Sequence, residues 1–265
     1  MQSVVMFFGA GASKPFGYLL TAQILPHIVR LASEGRLLAS GGDGARRGFL
    51  ERLRTLFPGA SADDKGAVGL PQITDVLSLL DRLATDGNGL GPRFSADDAR
   101  QTRHQLDRAI AEVLDGPADP PAIADSLKKR RQWADAVMRR IENGDRVTLI
   151  TTNYDLLFER ALYERMAEGC PFPALRKLAA TIDCGFPWRM PLYGDQEPVA
   201  MRPERPRLAV FKLHGSLNWL RCNVCGYIYI NPRGAIYHQA YANEPPPPMC
   251  IIHAHAAPGR CTPSW

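Results

Sequence analysis

The sequence predicts an α/β fold of the Rossmann type, in which helices cover a parallel sheet. Three short apolar runs, each followed at once by glycine or polar residues, support this prediction; they are residues 4–8, 147–151 and 208–213. An apolar run without alternation is typical of a parallel strand that is buried on both faces. Stretches with helical spacing lie between the runs, as a βαβ arrangement requires.

Six stretches have the spacing of amphipathic helices. They are residues 19–32, 46–56, 73–83, 96–114, 122–142 and 156–166. Five of them fall between the first and second apolar runs, and the last four of these lie within residues 40–142, which are predicted to form a helical insertion. The core then consists of residues 1–39 and 143–221, and residues 222–265 form a small cysteine-rich module. Residues 170–207, rich in Pro and Arg, are predicted to be loop with room for one hairpin.

The composition is that of an ordinary globular chain, since 45% of the 265 residues are hydrophobic and 22% are charged. No apolar run approaches the ~20 residues of a bilayer-spanning helix. The first residues also lack the basic start of a signal peptide. We therefore expect a cytoplasmic protein without membrane contact. The basic runs at 128–131 and 202–207 lack interleaved aromatic residues, so we interpret them as solvated surface and do not expect direct nucleic-acid binding.

The first apolar run ends in a glycine corner directly before a helix. Its residues are Gly9, Ala10, Gly11, Ala12 and Ser13. Glycines let the backbone approach a pyrophosphate, and the start of the following helix offers free N–H groups. A tight turn without a ligand has the same signature. Lys14 stands where the dehydrogenase fingerprint has its third glycine, which argues against a hydride-transfer enzyme.

Polar residues also follow the other two runs. They are Thr152, Asn153 and Asp155 after the second run, and His214, Gly215 and Ser216 after the third. An amide, a carboxylate and an imidazole can bind and activate a polar substrate. As alternatives, Asn153 and Asp155 cap the next helix, and His214 is a structural histidine in a turn. Because open α/β sheets bind ligands outside the carboxyl ends of their strands, the three motifs should meet in one crevice.

Six cysteines in a cytosolic chain do not indicate disulfides. Cys222 with Cys225, and Cys250 with His253, have the spacing of a closed structural zinc site. His255 or Cys261 could replace His253. A module that has lost its metal, free thiols and a nucleic-acid-binding zinc ribbon are the alternatives. The knuckles carry Asn, Val and Ile in place of basic residues, which argues against the ribbon.

Taken in order, the glycine corner, Thr-Asn-Tyr-Asp, His-Gly-Ser and the cysteine pairs resemble the bacterial sirtuin-like NAD-binding family. The similarity is to its NAD-hydrolase branch, which is associated with antiphage defence. Residues 72–77 also resemble a helix common in that group, and the resemblance extends from residue 4 to about 255. It implies NAD as the substrate and a structural zinc ion.

The resemblance also implies a role for each matching position. Asn153 would place the attacking water, Asp155 would hold the nicotinamide ribose with it, and His214 would act as general base. The remaining NAD contacts would come from Gly9, Ala10, Gly11, Ala12, Ser13, Thr152, Gly215 and Ser216. The implied reaction yields nicotinamide and ADP-ribose.

The resemblance further implies a setting for this reaction. NAD depletion would serve antiphage defence, in a homo-oligomer or beside an ATPase or an Argonaute-type partner. A lysine deacylase and a non-catalytic module that binds NAD or ADP-ribose are the alternatives. The sirtuin fold returns to its sheet after the zinc module, whereas this chain ends at Trp265, so we expect the last core strands to be absent.

Overall fold

The computed structural model describes residues 2–37, 42–58, 61–63, 66–87, 89–116, 120–168, 182–189, 200–201, 206–221 and 228–230. The strands are β1 (Ser3–Phe8), β2 (Ser61–Asp63), β3 (Gly66–Val68), β4 (Arg146–Thr151), β5 (Ile182–Asp183), β6 (Trp188–Arg189), β7 (Ala200–Met201), β8 (Leu208–Lys212), β9 (Trp219–Arg221) and β10 (Ile228–Ile230). The α-helices are α1 (Thr21–Ser33), α2 (Asp43–Leu56), α3 (Ile73–Asp86), α4 (Ala96–Leu114), α5 (Pro120–Glu142) and α6 (Leu157–Ala167). The six predicted helices are thus confirmed to within a few residues.

The chain divides into two compact units, one of Met1–Tyr18 with Asp115–Trp265 and one of Leu19–Leu114. These bounds differ from the predicted core of residues 1–39 and 143–221 and insertion of 40–142. Helix α1 lies in the second unit, and α5 lies in the first. The difference arises because the sequence orders the helices along the chain but does not show which of them pack together.

The first unit contains a parallel sheet with the order β1-β4-β8-β5. The three strands predicted from apolar runs are confirmed, and their last residues are in register: Phe8 pairs with Thr151, and Thr151 pairs with Lys212. Strand β5 lies in the segment predicted to be loop. The prediction of a loop is therefore wrong at these residues. A strand of two residues is too short to show a hydrophobic period in the sequence.

Helices α5 and α6 cover one face of this sheet. A hydrophobic cluster fills the space between the helices and the sheet. The strands contribute Val147, Leu149, Ile182, Leu208 and Val210, and the helices contribute Ala134, Val137, Ala161 and Leu162. Burial alternates along β4 and β8, so only one side of each strand is fully enclosed. The expectation of two buried faces is wrong for β1, where Val5 and Phe7 are each 64% exposed.

Ion pairs join α5 to α6 along their length. Arg131 pairs with Glu168 at 3.2 Å, and Arg165 on α6 pairs with Asp135 on α5 at 2.5 Å. Arg130 is 7% exposed and lies 3.5 Å from Glu164. The basic run at 128–131, interpreted from sequence as solvated surface, therefore also contributes to packing between two helices.

The second unit is a helical assembly with a short β2–β3 hairpin. Its buried apolar residues include Leu25, Ile28, Phe49, Val76, Leu80 and Leu106. Arg52 of α2 donates to Thr102 and Gln105 of α4, which links two helices across their polar edges. Helix α3 ends at Gly87, whose φ of 73° is the left-handed conformation that favours glycine at a helix C-terminus.

A second small sheet has the order β7-β6-β10-β9. Strands β9 and β10 are antiparallel and flank the first cysteine pair in sequence. The four predicted zinc ligands, Cys222, Cys225, Cys250 and His253, lie outside the described residues. Within the described ranges, no three His, Cys, Asp or Glu residues cluster as a metal site. The zinc site stays a prediction.

None of the helices in the described part of the chain is long and apolar enough to cross a membrane.

Candidate functional site

The three polar motifs leave the sheet at one edge, as the topology predicted from sequence requires. Beyond the strand ends, Thr152 N donates to the carbonyl of Phe8 at 3.2 Å, and Leu213 N donates to that of Thr151 at 2.9 Å. These bonds continue the register of the sheet into the loops. The glycine corner therefore adjoins the loop that carries Asn153, and this loop adjoins the turn that carries His214.

A buried hydrogen-bonded chain joins the glycine corner to the loop after β4. Asn153 Nδ2 donates to the carbonyl of Gly9 at 3.1 Å and to Ser13 Oγ at 2.9 Å. Ser13 Oγ in turn donates to Asp155 Oδ2 at 2.8 Å. Because a carbonyl only accepts, the bond to Gly9 fixes which end of the Asn153 amide points to the corner. Ser13, Asn153 and Asp155 are all buried.

Asp155 also lies just before helix α6, which begins at Leu157. Its Oδ1 accepts from Leu157 N at 3.1 Å, while Oδ2 accepts from Ser13. One carboxylate thus makes the helix-start contact that was one of the alternatives from sequence, and it also binds Ser13. A role of Asp155 in NAD binding stays a prediction. The structure places this carboxylate as a support for Ser13 and the helix start.

Neither conformation nor packing within the chain requires the two glycines of the corner. Gly9 has an ordinary extended backbone, with φ −101° and ψ −178°. A Cβ added at Gly9 or Gly11 would meet no atom of the described residues within 4 Å. The first bond of the turn runs from Ala12 N to the carbonyl of Gly9, so the N–H groups of Ala10 and Gly11 precede it. Open space beside glycine backbone is the arrangement that admits a closely approaching anion.

His214 and Tyr154 form an exposed aromatic pair at the same edge. Their ring centroids are 6.2 Å apart with an interplanar angle of 40°, and Tyr154 is 47% exposed. Gly215, with φ 85°, closes the turn by donating from its N–H to the carbonyl of Lys212. No side chain in the described ranges hydrogen-bonds to the His214 ring. The imidazole is accessible to a substrate. Tyr154 belongs to the Thr-Asn-Tyr-Asp motif but is not among the site residues predicted from sequence.

A buried ion pair of two further charged residues, Lys212 and Glu159, adjoins the site. Neither residue was predicted from sequence to belong to it. Lys212 Nζ donates to Glu159 Oε1 at 2.5 Å, and Ser216 Oγ donates to the same oxygen at 3.2 Å. Ser216, predicted to contact NAD, is buried and directs its hydroxyl to Glu159. The sequence did contain a sign that Lys212 is buried. Alternate residues of a strand face the same side, so Lys212 follows the inward-facing Leu208 and Val210 along β8.

Tyr18 follows the corner and has a buried hydroxyl without a hydrogen-bond partner in the described part of the chain. Burial raises the pKa of Tyr18 to about 12, against the opposing charges of Arg130 and Arg160. Because this pKa lies above its unfolded value near 10, the stability it confers is present below pH 10 and is lost as pH rises towards 12. The full loss over these two pKa units amounts to roughly 3 kcal/mol. We expect Tyr18→Phe to lose correspondingly less stability than wild type between pH 9 and pH 11.5, measured by denaturant unfolding. Equal losses in the two proteins would contradict this account of Tyr18.

A family model described as SIR2-like domain matches residues 147–254, which begin at β4 and include the loops carrying Asn153, Asp155 and His214. The glycine corner lies outside the matched range. No curated protein matches the chain.

Proposed function

We propose that this chain is an NAD⁺ glycohydrolase that cleaves the nicotinamide–ribose bond and releases nicotinamide and ADP-ribose. One observation carries the proposal: Asn153, buried in the loop after β4, is hydrogen-bonded to the glycine corner and to Ser13. This links an anion-accepting backbone to a polar amide at one sheet edge, where an open α/β fold binds nucleotides. The SIR2-like match over residues 147–254 supports NAD as the dinucleotide.

The protein does not need a strong general acid to protonate the leaving group, because nicotinamide leaves as a neutral molecule. The oxygen of water forms a bond to C1′ of the ribose, and the electron pair of the broken C–N bond goes to the nicotinamide nitrogen. The proton released by water goes to a base, and we assign this role to the exposed imidazole of His214 at this edge. Asn153 would orient the water and the carboxamide, and the corner would bind the pyrophosphate.

The direct test incubates the purified chain with NAD and quantifies nicotinamide and ADP-ribose, with and without an acylated lysine peptide. Equal amounts of the two products without peptide support the proposal. Turnover only in the presence of peptide would indicate a deacylase, and binding without turnover would indicate a non-catalytic module. Because the resemblance to defence proteins implies an oligomer or a partner, the assay should also be run with the products of neighbouring genes. We propose NAD depletion in antiphage defence as the biological setting.

His214→Ala should lower kcat by on the order of 10²-fold, the usual contribution of a general base. The melting temperature should stay unchanged, because the ring is exposed and bonded to no described side chain. Nicotinamide release under saturating NAD measures the effect. His27→Ala, a histidine on α1 in the other unit, is the matched control and should retain full activity. Wild-type kcat in His214→Ala would remove His214 from the mechanism.

A further inference from the structure

The ammonium of Lys212 is enclosed at the carboxyl end of β8. Its side chain is only 1% exposed, and Nζ donates to three oxygens. They are the carbonyl of Asp155, the carbonyl of Tyr154 at 3.4 Å and Glu159 Oε1 at 2.5 Å. Three acceptors match the three N–H bonds of an ammonium, so the group is fully satisfied.

This single group connects two separate loops of the site. The carbonyls that it binds belong to the two residues directly after Asn153. Through Glu159 it reaches Ser216, two residues beyond His214. A backbone bond runs parallel to this link, from Leu217 N to the carbonyl of Tyr154 at 3.3 Å. Lys212 and Glu159 therefore hold the loop after β4 and the turn after β8 against each other.

Stability alone gives no reason for an ion pair at this place. Well-packed apolar residues often replace a buried ion pair without loss of stability, because removing two charges from water is costly. An apolar side chain at position 212, however, could not bind the carbonyls of Tyr154 and Asp155. What the pair supplies is a fixed position for the backbone on either side of the site.

We propose that Lys212 and Glu159 are positioning residues, which fix the amide of Asn153 and the ring of His214 relative to each other. The inference rests on the proposed function, in which these two groups act on the same bond. Neither Lys212 nor Glu159 needs to touch the substrate. A misplacement of about 1 Å between such groups costs on the order of 10²-fold in rate.

The double variant Lys212→Met/Glu159→Gln separates positioning from folding. Lys212→Met alone leaves the Glu159 carboxylate without its cation, and we expect its melting temperature to fall by about 10 °C. The double variant removes both charges, so its melting temperature should return to within a few degrees of wild type. Its kcat for nicotinamide release should nonetheless stay on the order of 10²-fold below wild type, with KM changed less than about threefold.

The matched control is Arg131→Met/Glu168→Gln, which also removes one cation and one carboxylate but from an exposed pair between α5 and α6. This control should keep wild-type kcat. If the Lys212–Glu159 pair were only structural, the double variant would recover kcat together with its melting temperature, and the proposal would be overturned.

Hydrogen exchange tests the same link without any turnover. The amide of Leu213 donates to Thr151, the last residue of β4, and the amide of Leu217 donates to Tyr154 in the loop after it. Both amides therefore report how the segment after β8 is held against β4 and its loop. We expect them to exchange at least about tenfold faster in the double variant than in wild type. Wild-type protection of both amides would overturn the positioning role. If wild type releases no nicotinamide at all, the proposed function fails, and this measurement still decides whether Lys212 and Glu159 couple the loops.

Discussion

Replacing Asn153 by alanine is expected to lower kcat/KM for NAD by on the order of 10³-fold, the largest effect of any single change at the site. The Asn153 amide donates to the carbonyl of Gly9 and to Ser13 Oγ. Its removal breaks these two bonds between the glycine corner and the loop after β4, while the bond from Ser13 to Asp155 remains. It also removes the group that would orient water and carboxamide. The measurement is nicotinamide release at low NAD concentration.

The same change should cost some stability, since it leaves a carbonyl and a hydroxyl without their donor. We expect a loss of about 1–3 kcal/mol in the free energy of unfolding. Activity should therefore be compared at a temperature where circular dichroism shows the variant to be folded. Asn143→Ala, at an exposed position after α5, is the matched control and should change neither activity nor stability. If the folded Asn153→Ala protein kept wild-type kcat/KM, Asn153 would have no role in orienting the water and the carboxamide.

Gly11→Val is expected to weaken NAD binding by about 100-fold while leaving the melting temperature unchanged or slightly higher. Among the residues that the structure describes, none has an atom within 4 Å of a Cβ at Gly11, so this part of the fold has room for the side chain. A ligand that lies against the glycine backbone would lose that room, and about 100-fold corresponds to roughly 2.7 kcal/mol of binding free energy. Isothermal titration with ADP-ribose measures the affinity without the complication of turnover.

This variant distinguishes a binding corner from an ordinary tight turn. Gly44 in α2 also has open space where a Cβ would stand, so Gly44→Val is a control with the same chemical change in the other unit. The control should bind ADP-ribose as wild type does. Wild-type affinity in Gly11→Val would mean that the corner is a turn without a ligand.

The edge of the sheet that carries the site was predictable because three signals in the sequence are local. Each of the runs ending at Phe8, Thr151 and Lys212 is apolar, and each is followed within two residues by glycine or a polar motif. The rule that parallel strands bind ligands at their carboxyl ends then brings the motifs together without any knowledge of distant contacts. Strand β5 gave no such signal, because two residues cannot show a period.

The interior of the site was not predictable in the same way. Ser13 and Asp155 are 142 residues apart in sequence, and only the folded chain shows that one hydroxyl joins Asn153 to Asp155. Lys212 was the recoverable omission, since a lysine at an inward position of an apolar strand requires a buried partner. The identity of that partner, Glu159 on a separate element, depends on how α6 packs against β8.

The division into units shows a further limit of pattern analysis. Helices α1 and α5 have ordinary amphipathic spacing, which places them in the chain but says nothing of their neighbours. Because these helices follow one another along the chain, residues 40–142 were predicted to form one insertion. In the folded chain α1 belongs to the second compact unit, and α5 belongs to the unit that contains the sheet. Side-chain contacts such as Ala134 and Val137 against Val147 and Leu149 decide that grouping.

A crystal structure of the chain soaked with ADP-ribose would settle whether a single dinucleotide occupies these strand ends. We predict the pyrophosphate against the backbone of residues 9–11, with the ribose that formerly carried nicotinamide between the amide of Asn153 and the ring of His214. Ligand bound elsewhere on the chain, with this edge of the sheet unchanged, would contradict the account.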